Sequence, residues 1–194
     1  MDLSKYSATD QLRDGTPLQL RAIRPDDKQQ LLDGFHRLSG RSVYFRFMGP
    51  RQELGPEDLR YFTEVDFRHH IAIVAALQGP SGEQPIGVGR LVEIKDGPND
   101  RVADIAFAVE DKYQNLGAGT VLFEHIVGIA QSQDFTRLLA DVHTANKKML
   151  DIFRNSGFAI ASRTESAVIH IELDITRTAT GSAYPQPEQE TYHD

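Results

Sequence analysis

Cysteine is absent from the 194 residues, which removes disulfides, thiol nucleophiles and thiolate metal sites together. Long hydrophobic runs are missing too. A stretch such as IAIVAAL at residues 71–77 is far short of the roughly 20 apolar residues a membrane-spanning helix needs. The opening MDLSKYSATDQLRDG has no apolar core of the signal-peptide kind, so a cytoplasmic address is expected. Positive charge is in deficit, with 21 Lys and Arg against 28 Asp and Glu and a formal charge of −7. That balance argues against a protein that binds nucleic acid by neutralising phosphates, and suits a basic partner better than an acidic one. His69-His70 has no Asp, Glu or His at ligand spacing, and no metal is expected. What is present is ordinary for a globular chain, at 40% hydrophobic and 25% charged residues, and the length suits one core.

Periodicity divides the chain into a flexible segment over residues 1–16, a folded domain over 17–175 and a flexible polar tail over 176–194. LQLRAIRPDD alternates as a strand until Pro25, after which Asp26 and Asp27 open a helix carrying Leu31, Leu32 and Phe35 on one face. A second helix starts at Gly55-Pro56, with Leu59, Tyr61 and Phe62 on one side. From His70, three apolar runs separated by turn clusters at 79–82 and DGPND spell an antiparallel meander. QNLGAGT at residues 114–120 leads into a helix with Val121, Leu122, Ile126, Ile129 and Ala130 on a broad apolar face. RLLADV is a further strand, NKKMLDIFRNSG a helix closed by Gly157, and FAIASR and SAVIHIELDI the last two strands.

The glycines of QNLGAGT invite two readings. At a strand-to-helix junction the first helical N–H groups lack backbone partners and bind phosphate well, with glycine permitting close approach. The same glycines also suit a plain conformational turn. Two better-known phosphate loops are excluded: GAGTVL and GVGRLV lack the third small residue of the dinucleotide fingerprint, and no GxxxxGK[ST] occurs.

Element order and motif together resemble the GNAT superfamily of acyl-CoA-dependent N-acyltransferases. Gln114, Gly117 and Gly119 match the signature after the fourth core strand, and Asn146, Phe153 and Gly157-Phe158 match a second one about thirty residues on. The segment from LRAIRPDD to HHIAIVA is similar to the acetyltransferase domain of bacterial protein-lysine acetyltransferases that act on acyl-CoA synthetases. The resemblance implies an α+β fold, a central, mostly antiparallel mixed sheet of six to seven strands flanked by about four helices. It implies transfer of an acetyl group from acetyl-CoA to an amine, foremost a protein lysine, with an acyl-CoA synthetase as one candidate substrate. A small-amine acetyltransferase and a catalytically weak acyl-CoA-binding regulatory module are the alternatives.

Site residues follow from the same resemblance. Lysine in water has a pKa of about 10.4, so a carboxylate must take its proton. Asp104 stands where the resembling enzymes carry Glu, with Glu110 and Glu93 in reserve. Val109 matches the backbone N–H that serves as oxyanion donor beside a strand bulge. Phe107, Ala108 and Val109 would line the edge where pantetheine pairs, and Gln114, Asn115, Leu116, Gly117, Ala118, Gly119 and Thr120 would seat the pyrophosphate. Asn146 and Phe153 would approach the cofactor from the other side. Three departures stand out: Asp for Glu at 104, Phe153 where many members have Tyr, and Asn115-Leu116 where a basic residue is usual. One cation for the pyrophosphate is therefore missing from the loop. Arg41, Tyr44, Phe45, Arg46 and Phe47 are expected to combine core packing with acceptor-side contacts, and His143 to be a polar loop residue near the site.

Overall fold

Alternating apolar residues in β2 (Pro17–Ala22) bury Leu18 and Leu20, while β3 (His70–Gly79) is apolar on both faces, one joining the main core and the other a smaller cluster with Ile23, Val65, Phe67 and Val88. The computed structural model describes residues 2–80, 82–95 and 100–178. Before β2 comes β1 (Ser7–Gln11); three helices follow β2, namely α1 (Lys28–His36), α2 (Gly40–Phe47) and α3 (Pro56–Thr63). After β3 run β4 (Gly82–Lys95), β5 (Arg101–Val109), the short α4 (Asp111–Gln114) and α5 (Ala118–Ser132). Then come β6 (Arg137–His143), α6 (Lys147–Arg154), β7 (Phe158–Glu165) and β8 (Val168–Thr178).

Among the described residues one eight-stranded sheet runs in the order β1-β2-β3-β4-β5-β6-β8-β7. Every pair is antiparallel except β5 with β6. One face packs on α5, whose Leu122, Phe123, Ile126 and Ile129 join Leu91, Ala103, Ile105 and Leu138 in the main core. The other face is covered by α1, α2 and α3, which share a smaller core of Phe35, Val43 and Leu54. The α+β class is as expected, with more strands and helices than the sequence spelled out.

Residues 2–16 correct the expected boundary: they are part of the fold. β1 pairs with β2 from Ser7↔Arg21 to Gln11↔Pro17, and Leu3, Tyr6 and Leu12 are buried. Tyr6 Oη lies 2.5 Å from His125 Nδ1 on α5, and His125 Nε2 lies 3.3 Å from Asp10. A carboxylate only accepts, so Nε2–H donates to Asp10 and Nδ1 accepts the Tyr6 hydroxyl. At the other end β8 continues through Thr178; the rest of the expected tail, and most of the DGPND turn, lie outside the described residues.

The parallel junction positions the site. β5 and β6 pair only over Val102↔Arg137, Ala103↔Leu138 and Asp104↔Leu139. Beyond Asp104 the two strands part, although β5 continues to Val109 and β6 to His143. On its other edge β5 pairs residue for residue with β4 from Arg101 through Val109. The bulge expected beside Val109 is therefore absent from the β4–β5 pairing, and it is the parting from β6 that opens the backbone there.

Candidate active site

Glu110 N–H donates to Ile86 C=O at 2.9 Å, which fixes the edge that each β5 residue presents. Alternate residues of an antiparallel ladder hydrogen-bond to the same side, so the N–H and C=O groups of Phe107 and Val109 point away from β4 into the gap left by β6. The Val109 carbonyl accepts from Gln114 Nε2 at 3.0 Å. Its N–H faces a cavity of about 510 Å³ bordered by β5, α2, the start of α5 and α6.

Gly117 caps α5 with a φ of 91°, a left-handed conformation that glycine adopts without strain. The first intrahelical bond runs from Val121 N–H to Gly117 C=O at 3.0 Å, leaving the Ala118, Gly119 and Thr120 N–H groups without a helical acceptor. Gly119 forms cavity wall, and a Cβ there would sit 3.2 Å from Ile152 Cδ1. The missing loop cation is replaced from elsewhere: Arg41 and Arg46 on α2, with Lys147 and Lys148 on α6, border the same cavity. Lys148 Nζ reaches Gln114 Oε1 at 3.2 Å, and Arg41 donates to Ala145 C=O at 3.2 Å. A helix N-terminus facing a ring of cations fits a polyanionic pyrophosphate.

Of the residues expected at the cofactor, Phe107, Ala108, Val109, Gln114, Gly119 and Asn146 line this cavity. Asn146 also caps α6, accepting from Met149 N–H at 3.4 Å. Asn115, Leu116, Gly117, Ala118 and Thr120 form the loop and first turn but not the wall; Leu116 packs on the core and Ala118 is fully buried. Phe153 is a correction. It is 1% exposed, its ring set edge-on to Phe123 at 5.5 Å, and Met149 and Ile152 face the cavity instead.

Sequence reasoning missed α2. Gly40, Ser42, Val43 and three aromatics are weak helix formers, yet Ser39 is an N-cap that accepts from Ser42 N–H at 3.2 Å. That cap was the available signal. Ser39 and Ser42 hydroxyls donate to Asp111 at 2.7 and 2.9 Å, and Gln114 Nε2 donates to Ser42 Oγ at 3.0 Å. The helix is thereby fastened to the glycine loop.

Asp104 is the last paired residue before the strands part. It projects from the face opposite Ala103 and Ile105, the side on which α2 packs, and is solvent-exposed. Partial burial, then the nearby Asp141 carboxylate, push its pKa up to about 6 against the pull of Arg46. Neither reserve carboxylate competes. Glu110 is 4% exposed and bound to Arg37 Nε at 2.6 Å. Glu93 lies on the other face, held by Arg101 at 3.0 Å and His69 at 2.6 Å. His143 ends β6 between the Tyr44 and Phe45 rings, at 5.6 and 5.4 Å; it is part of the α2 contact, not a free loop residue.

A sheet parted beside a glycine-capped helix, with a carboxylate at the fork, is the arrangement expected of an acyl-CoA-dependent N-acyltransferase. Residues 40–158 match the Acetyltransferase (GNAT) family, and the chain belongs to that family of acetyltransferases. It is 31% identical to Acetyltransferase Pat of Mycolicibacterium smegmatis over 176 residues, 91% of this chain and 51% of that protein. An acetyltransferase of Pseudomonas aeruginosa is 26% identical over 147 residues, 76% of this chain and 77% of that one. Among solved structures, the GNAT domain of S. lividans PAT matches with a TM-score of 0.79 at 31% identity, covering 87% of this chain and 96% of that one. The chain spans about half the length of the M. smegmatis relative.

Proposed function

We propose that this chain transfers an acetyl group from acetyl-CoA to the ε-amine of a lysine on a protein substrate. The carrying observation is Asp104, a carboxylate with a pKa of about 6 at the fork where β5 leaves β6. General-base work near neutral pH calls for such a pKa. The acceptor side supports a cationic substrate: Asp104 and Asp141 share one face, and a protonated lysine approaching them would be attracted before it is deprotonated. Relatives named as Pat and PAT point the same way.

The thioester supplies the activated acyl group; this chain supplies its placement. The Gly119 N–H at the start of α5, with Arg41, Lys147 and Lys148, would hold the pyrophosphate. The Phe107 and Val109 backbone edge would pair with the pantetheine amides as a short added strand does. Val109 N–H is the donor for the oxyanion, and Asp104 takes the amine proton directly or through water. Phe153 cannot protonate the departing thiolate, which with a thiol pKa of roughly 8.5 leaves tolerably well unaided. The cytoplasmic address expected from the sequence goes with this reading.

A thiol-release assay with acetyl-CoA and a lysine-bearing acyl-CoA synthetase tests it. Release that depends on that protein and vanishes when its target lysine becomes Arg is the expected result. Tight binding of acetyl-CoA by calorimetry, with no release from proteins or a panel of small amines, sinks the enzyme reading in favour of a binding module.

A further inference from the structure

A second, smaller cavity of about 80 Å³ lies between α1, α3 and the outer face of β4 and β5. It adjoins the acyl-CoA cavity through Leu38, Arg46 and Ala108, which border both. Most of its wall is apolar, including Leu31, Phe35, Leu54, Phe62 and Ile86. The polar exceptions are Gln30, Arg46, Arg90 and Glu110, and the last is already neutralised by Arg37.

The two arginines have no such partner. Arg90 is 4% exposed and donates to Phe62 C=O at 2.8 Å and to His70 Nε2 at 2.5 Å. Neither is an anion. Burial and the neighbouring Arg90 charge hold the His70 pKa down to about 4, so that ring is neutral. Arg46 lies over the Phe47 and Phe62 rings at 5.1 and 5.8 Å, and Arg90 lies over Phe62 at 4.9 Å. Among the described residues Arg46 makes no hydrogen bond or ion pair, and no buried side-chain nitrogen lacks a partner, so its guanidinium opens onto the cavities. Burial and the charge of Arg46 push Arg90 down to about 9, and Asp104 attracts Arg46 only from beyond ion-pair distance. A buried arginine with a second, cavity-facing arginine of like charge beside an apolar pocket is costly for a fold to keep unless an anion completes the pair.

We propose that this pocket binds a carboxylate carried by one of the two substrates, with Arg46 and Arg90 as its counter-charges; the proposal rests on the acyltransferase reading. The space admits roughly three water-sized groups, enough for the carboxyl of a short dicarboxylic acyl group such as succinyl. In that transfer the C–S bond breaks, a C–N bond forms, the amine proton passes to Asp104 or water, the thiol departs, and the distal carboxylate is unchanged. The second source of the same chemistry is an acidic residue beside the acceptor lysine.

Calorimetry on the full chain with succinyl-CoA and with butyryl-CoA, its neutral counterpart of equal carbon length, reads the donor arm without turnover. At least tenfold tighter binding of succinyl-CoA is expected, falling toward parity in Arg90→Gln and partly restored in Arg90→Lys. The acceptor arm compares acetyl transfer to lysine peptides flanked by Glu or by Gln. An Arg90-dependent preference for Glu there assigns the carboxylate to the acceptor. Parity in both arms for the unaltered protein overturns the proposal, and so does a preference that Arg90→Gln leaves intact. If Arg90→Gln does not fold, the unaltered protein still decides by those two comparisons. If no CoA thioester binds, the acyl-CoA reading fails separately, and the pocket is judged on whether millimolar glutarate raises the melting midpoint of the unaltered protein.

Discussion

On Asp104, as the proposed base, two opposing requirements fall. A base must be ionised at working pH, and its conjugate acid must not be so strong that it cannot hold the proton it takes. A pKa of about 6 meets both. The rate should therefore rise through an acid limb with a midpoint near 6, and Asp104→Asn should remove that limb while lowering kcat roughly a hundredfold or more. The same shift carries a stability sign. Folding raises this carboxyl above its unfolded value, so protonation favours the fold, and its contribution is lost as pH climbs through the raised pKa. Asn imitates the protonated form, so a higher melting midpoint for Asp104→Asn at pH 7.5 is expected; loss of rate together with loss of stability would point to a structural role instead. Gly117 offers a second test. At a φ of 91° with the Arg13 side chain packed against it, Ala should cost about 1–2 kcal/mol, measurable by denaturant titration, and weaken acetyl-CoA binding. The places of Gln114, Gly119 and Asn146 around the cavity were legible because motif spacing ties them to the turns that open α5 and α6. The inward turn of Phe153 was not, since spacing says nothing about which side of a helix meets Phe123.

Elements show where periodicity succeeds and where it runs out. The β3–β4–β5 meander and the α5 and α6 helices carry repeated apolar faces, and the sequence announced them. β1 carries no such face, and the flanking Leu3, Tyr6 and Leu12 are too widely spaced to register as a pattern, although each is buried. Their burial contributes about 1.5–3 kcal/mol apiece, a sum comparable with the whole stability of a typical domain, about 5–15 kcal/mol. A chain shortened to begin at residue 17, where periodicity suggests the domain starts, is expected to lose its cooperative thermal transition by circular dichroism. A melting curve like that of the intact chain would show the hairpin to be dispensable. α2 escaped notice for a different reason. Its residues favour helix weakly, and it is held by tertiary bonds from Ser39 and Ser42 to Asp111, which no local window contains.

For the molecule as a whole, the charge distribution matters more than its sum. The chain is acidic, with a formal charge of −7, yet the large cavity gathers Arg41, Arg46, Lys147 and Lys148 around the α5 N-terminus. An anionic donor must cross a field that repels it to reach a local field that holds it, while the proposed lysine acceptor would be drawn by the overall charge toward Asp104 and Asp141. Salt should therefore act on the two substrates through different contacts. Raising ionic strength from about 0.05 to 0.5 M shortens the screening length severalfold, and the KM for acetyl-CoA is expected to increase. A pantetheine thioester lacking the nucleotide has little charge to screen, and its KM should stay nearly constant over the same range. Replacing Arg41 and Lys148 together with Ala should raise the KM for acetyl-CoA by tenfold or more and flatten its salt dependence, with the truncated thioester scarcely affected. Parallel salt curves for both donors would mean that the cations serve the fold and not the phosphates, and would leave the pyrophosphate to the helix N-terminus alone.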